Sequence, residues 1–148
     1  METIDRLLEK SCYVIDFIPT QVARESKGDF FEVEKYLLNH ATHHGLLERY
    51  INIILKLMCY YQVSVFRDGV WIQQPGVDAV VEFVEETIQN SSDVLNILFS
   101  EEDTLLVVEG DCLHMTIYNP DEEMCILLKD IVVSEGMFLR KSMEKGRV

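Results

Sequence analysis

Three histidines, His40, His43 and His44, stand within five residues of one another. On a helix, imidazoles at i and i+4 can share a metal ion. Glu48 follows His44 by one further turn. The intervening glutamate of an H-E-x-x-H helix is missing, so no general base accompanies the cluster. Asn39 and Gly45 flank it and favour a solvated turn instead. We adopt the turn and expect no metal and no cofactor. A small metal-binding protein or hydrolase using these histidines is the alternative.

Cys112 and His114 would share one face of a strand. A nucleophilic thiol needs a lowered pKa, and the neighbouring Glu109 and Asp111 act in the opposite direction. A packed thiol beside a histidine is the better reading. Cys12, Cys59, Cys112 and Cys125 form no C-x-x-C pair. Reduced, buried thiols are expected, with a Cys112–Cys125 bridge as the alternative. No phosphate-binding loop, nucleophile elbow, zinc knuckle or calcium loop is present, which removes the usual sequence warrants for catalysis without excluding it; a non-enzymatic protein is the expectation.

The acidic clusters are Glu85-Glu86, Glu101-Glu102-Asp103 and Asp121-Glu122-Glu123. Acid/base chemistry would need one carboxyl of a pair held in an apolar pocket. These sit instead on an outer helix face, in a turn and at a helix start, where solvation suffices. Their number is less easily explained. From Asp68 to Glu135 there are 16 acids and one base, Lys129, a charge of −15 within a chain of net −13. Soluble surfaces usually mix signs, whereas a single-sign field steers a partner of opposite charge. Direct nucleic-acid binding through this segment is disfavoured, since phosphate backbones require basic surfaces. Of the aromatics Tyr60, Tyr61, Phe66 and Trp71, one could anchor a partner, but core packing is the commoner fate.

The elements that must position these groups follow from periodicity. Thr3–Lys10 predicts a short helix capped by Thr3, and Cys12–Ile18 a strand stopped by Pro19. Thr20–Asp29 reads as a polar loop, and Phe30–Leu38 fits helix or strand. Gly45–Met58 predicts a helix apolar on nearly every side, hence central. Tyr60–Phe66 and Val70–Ile72 alternate around an Asp68-Gly69 hairpin turn. That alternation sends Tyr60 and Tyr61 to opposite faces. Val77–Gln89 predicts a helix buried through Val77, Val80, Val81, Val84 and Ile88. Val94–Phe99, Thr104–Glu109 and Leu113–Tyr118 predict an antiparallel meander. A final helix is expected with Asn119 as N-cap, Pro120 at its first position and Gly136 at its end. Met137–Arg140 fits a last strand, followed by a frayed basic tail after about residue 141.

Together these elements predict one α+β domain of 148 residues, an antiparallel sheet packed with about four helices. Met1–Asp5 lacks the basic start and apolar run of a secretory leader, and no stretch is long enough to span a membrane. A cytoplasmic protein is expected. In size, α+β pattern and the acidic Asp68–Glu135 stretch, the chain resembles the small acidic immunity and inhibitor proteins of bacteria. The resemblance implies a non-enzymatic module that docks on a basic protein such as a toxin or nuclease. Glu85, Glu86, Glu101, Glu102, Asp103, Asp121, Glu122 and Glu123 are the partner-binding candidates. A homo-oligomeric accessory domain is the third reading.

Overall fold

Asp68 and Gly69 both take positive φ, 52° and 77°. This is the geometry of a tight hairpin turn whose twist matches its strands. The turn joins β2 (Ser64–Arg67) to β3 (Val70–Gln73). These strands belong to a computed structural model that describes residues 2–23, 25–39, 45–90, 93–110 and 114–142.

The other strands are β1 (Cys12–Asp16), β4 (Val94–Phe99), β5 (Thr104–Glu109), β6 (His114–Tyr118) and β7 (Phe138–Lys141). The helices are α1 (Glu2–Leu7), α2 (Phe30–Asn39), α3 (Leu46–Met58), α4 (Val77–Ile88) and α5 (Glu122–Ser134). All seven strands form one antiparallel sheet in the order β3-β2-β4-β5-β6-β1-β7. The expected meander is its centre. The first and last strands pair with each other on its flank, so the chain's two ends close the sheet. Both edges are short, four-residue strands, which limits unwanted pairing.

Strand alternation gives the sheet two covered faces. Ile15, Val65, Leu95, Ile97, Phe99, Leu106, Val108, Met115 and Ile117 form one core with α3, α4 and α5. Cys12, Leu98, Leu105, Val107 and Tyr118 form a second with Ile4 and Leu7 of α1. Coverage on both sides explains why β5 reads Leu-Leu-Val-Val rather than alternating. As its composition requires, α3 is central and packs against α2, α4 and α5.

Several local expectations are corrected. Thr3 lies inside α1 and does not cap it. Val77 is 56% exposed, because it opens α4 before the helix meets the sheet, while Thr87 is buried. Tyr60 and Tyr61 follow α3 in a turn and are not in a strand. Residues 143–148 lie outside the described residues.

The N-cap of α5 is Asp121, whose Oδ1 accepts from the Met124 amide at 2.8 Å; it is not Asn119. Asn119 adopts a left-handed φ of 64° and ties loops together instead. The end of α5 is as expected. Gly136 has φ 73°, its N–H donates to Val133 O, and the Met137 N–H donates to Val132 O. This paired closure requires a left-handed residue at the Gly136 position. Asp121→Ala should cost about 1 kcal/mol of stability by urea unfolding, the usual loss for a removed cap. No change would mean the cap bond is not formed in solution.

Candidate functional site

Two regions collect polar side chains, at opposite ends of the sheet. The first is built by Asn119. Its side-chain amide donates to the Asp103 carbonyl at 2.9 Å, and its own carbonyl accepts from Thr104 Oγ1 at 3.2 Å. These bonds hold the β4–β5 turn against the start of α5. They bring Glu102 beside Asp121, although Asp121 follows Asp103 by 18 positions in the chain.

Tyr61 sits at the centre of this acidic end, packed edge-on against Phe99 at 5.8 Å. Its phenol pKa is raised, first by burial and then by the charges of Asp121, Glu102 and Glu123. Tyr60 beside it is 64% exposed. The Glu102 carboxyl is also pushed up, by burial and by Glu101 and Asp121, and its Oε1 is enclosed without a hydrogen bond. Among the described residues no cation offsets these charges. Asp103 points elsewhere, to Arg6, whose guanidinium holds its carboxyl below the usual range.

Glu102 carries a pH prediction. Well below the ordinary glutamate value of 4.5 the group is neutral in folded and unfolded chains alike. As pH rises, the unfolded chain ionises first, so the fold loses stability through this window. Glu102→Gln should therefore raise Tm at pH 7, and the gain should shrink towards nothing at low pH. A variant less stable than the parent at pH 7 would refute this.

The eight acidic candidates do not form one face. Glu85 and Glu86 lie on α4, whose end packs beside Gly110. Gly110 follows β5 at the end away from the Glu101–Asp103 turn, a separation of about 20 Å for a six-residue strand. Glu86 is paired with Arg67 at 2.6 Å, and Arg67 also lies over the Phe83 ring. Lys56 likewise pairs with Glu135. Three bases from outside the acidic segment, Arg6, Lys56 and Arg67, thus fold back onto it. Glu102, Asp121 and Glu123 remain as the group around Tyr61, with Glu101 beside Glu102 and the exposed Glu122 next in sequence.

The second region is a cleft of about 510 Å³ at the other end. Asp16, the last residue of β1, faces His114 on β6 and shares a sheet face with Arg140 on β7. Its side chain is only 7% exposed. One oxygen accepts from the Phe17 amide at 2.7 Å and the other from Arg140 Nη2 at 3.0 Å. Arg140 Nε is enclosed without an acceptor among the described residues. Glu34 of α2 adds a carboxylate, and Ile18, Val22, Phe30 and Phe31 supply apolar wall. Phe30 stacks on Phe17 and so fixes the start of α2 at this end of the sheet. The charges of Asp16 and Glu34, after burial, raise the phenol pKa of Tyr50 behind them. A second hollow, about 530 Å³, lies beside α1 and Trp71, and Glu2 is its one charged lining residue among those described.

The remaining candidates are dispersed. His40, His43, His44 and Cys112 lie outside the described residues, so the metal cluster, the Cys112–His114 pair and the Cys112–Cys125 bridge have no structural account. Among the described residues no group of three or more His, Cys, Asp or Glu is placed to hold a metal. Cys12 is buried as expected, Cys125 half-buried, and Cys59 exposed at the end of α3. Phe66 and Trp71 pack together at 5.0 Å against the α1 core. Asp16 and Arg140 escaped the sequence reading. Their one signal was a charged residue inside an apolar strand run, Tyr-Val-Ile-Asp-Phe-Ile and Met-Phe-Leu-Arg, which demands a partner when buried.

The fold and these regions define an α+β domain with a seven-stranded antiparallel sheet. Comparison with protein-family models, curated proteins and solved structures gave no significant match to this chain. Among the described residues no helix is long and apolar enough to cross a membrane.

Proposed function

We propose that this protein is a non-enzymatic binding module that docks its acidic end on a basic protein partner, as an inhibitor or immunity protein would. The observation that carries the reading is the convergence of Glu102, Asp121 and Glu123 around Tyr61, with Glu101 beside Glu102 and no cation offsetting them among the described residues. Uncompensated like charges oppose folding, and an arginine- or lysine-rich surface relieves that cost on docking. Exposed Tyr60 at the rim offers an aromatic contact. We read its setting as cytoplasmic.

The test is capture of a basic protein from the native cell at low and high salt. Glu101→Lys with Glu123→Lys should abolish capture, while Glu85→Lys, at the other end, should leave it intact. Both carboxylates avoid the Asp121 cap, so folding is preserved. Capture that ignores salt, or survives the double reversal, would overturn the reading. A homo-oligomeric accessory domain is the second reading, favoured by Phe31, Val33 and Tyr36, which are 80%, 47% and 52% exposed on α2. Sedimentation at increasing concentration separates the two.

A further inference from the structure

The two edges of the sheet differ in their chemistry. β7 ends in Arg140 and Lys141, and charged edge residues discourage a further strand. β3 is as short, but Val70-Trp71-Ile72-Gln73 carries no charge, proline or glycine. Its register shows which groups it leaves open. In a two-residue hairpin the pair flanking the turn, Arg67 with Val70, is the hydrogen-bonded kind, and the two kinds alternate along the ladder. Val65 with Ile72 is therefore the next such pair, and the Gln74 N–H donates to Val63 O at 3.1 Å where a third would fall. The main-chain N–H and C=O of Trp71 and Gln73 consequently point away from β2, where among the described residues the sheet has no further strand. Gln74, with φ 44°, ends this edge. On one face of β3 lies the hollow of about 530 Å³, lined by Trp71 and Gln73 with Ser64 and Glu2. The other face carries Val70, 58% exposed, and the half-buried Ile72. The whole strand lies in the Asp68–Glu135 stretch, whose 16 acids and one base attract cations.

We propose that β3 is a docking edge for an extended segment of a partner protein in which basic residues alternate with β-branched apolar ones. The segment joins antiparallel to β3. Its basic residues stand opposite Trp71 and Gln73 and exchange main-chain hydrogen bonds with them. Opposed side chains share a face, so their cations lie over the hollow, against the Trp71 ring and towards Glu2. The apolar residues between them extend the face of Val70 and Ile72. Main-chain bonds supply the affinity, and the two unlike faces select the alternation. This edge is separate from the acidic end around Tyr61 and does not depend on docking there.

Trp71 is the chain's one tryptophan, so its emission reports on this edge. The full chain is titrated with acetylated, amidated Lys-Val-Lys-Val-Lys, with the same peptide N-methylated at its lysine amides, and with Glu-Val-Glu-Val-Glu. The first should shift the emission saturably. N-methylation keeps every charge but removes the main-chain donors that face β3, and should weaken binding about tenfold or more. The glutamate peptide should not bind. In the protein, Gln73→Pro removes an outward N–H without breaking the ladder to β2, and should weaken the lysine peptide by a similar factor. Glu101→Lys with Glu123→Lys should preserve the contrast between the plain and the N-methylated peptide, which separates this edge from the acidic end. Circular dichroism checks the fold of Gln73→Pro, and the N-methylated peptide on the unaltered chain decides the matter if that variant fails to fold. No saturable shift, equal binding of the N-methylated or the glutamate peptide, or a self-paired chain whose dimer Gln73→Pro dissolves, would overturn the proposal.

Discussion

Gly110→Ala should destabilise the fold by about 3 kcal/mol or more, as overpacking against rigid backbone does. A methyl carbon at Gly110 would lie 1.8 Å from the Asn90 carbonyl oxygen and 2.8 Å from that of Thr87. Both are backbone atoms at the end of α4 and cannot swing aside as a side chain would. Gly110 shows none of the positive φ values that need glycine, so the demand is for space alone. In open surroundings the same substitution would stabilise, by restricting the unfolded chain, by roughly 0.4–1 kcal/mol. Here the collision decides the sign. A thermal melt should show Tm lowered by roughly 10 °C for a chain of this size. An unchanged Tm would mean that α4 and β5 do not approach so closely in solution.

Asp16→Ala should be the second severe change. It strips the partner from Arg140, whose side chain is 23% exposed, and leaves a largely enclosed charge unpaired. Breaking a buried pair from one side costs about 3–5 kcal/mol, and the residual exposure of Arg140 places this case near the lower end. Replacing both residues, Asp16→Leu with Arg140→Met, should recover most of the loss, because the desolvation cost of both charges disappears. Urea unfolding of the two singles and the double measures the coupling. Singles that cost less than about 1 kcal/mol would show that the pair behaves as an exposed one.

The acidic end illustrates how local chemistry and packing share the work. Its residues are conspicuous in the sequence, but their grouping depends on Asn119, which the sequence offers as a plausible helix cap. In the structure Asp121 caps the helix and Glu122 begins it, so Pro120 precedes the cap instead of taking the expected first helical position. Asn119, in a left-handed conformation that asparagine tolerates, bonds back to Asp103 instead. The displaced cap is what draws one carboxylate segment onto the other. Conversely, Arg67 stands next to the acidic stretch in sequence and was counted outside it. Hairpin geometry swings it onto Glu86 and across Phe83, which pairs one carboxylate of the α4 end.

The α+β class, the central apolar helix α3, the Asp68-Gly69 hairpin, the three-stranded meander and the glycine-closed end of α5 are legible in the sequence. Each of these is set by contacts a few residues apart: helical or strand periodicity, turn residues with positive φ, and end groups that satisfy nearby amides. The surplus of carboxylates between Asp68 and Glu135 is legible in the sequence as well. Packing of distant segments sets the rest: β1 and β7 close the sheet, the acidic candidates split between two ends, and Asp16 meets Arg140 across 124 positions of chain. Pairings of that span follow from which faces can be buried together, and strand alternation leaves the partner of an isolated charge unspecified. The surplus of negative charge was therefore legible from composition, whereas its focus at Tyr61 had to be built by folding.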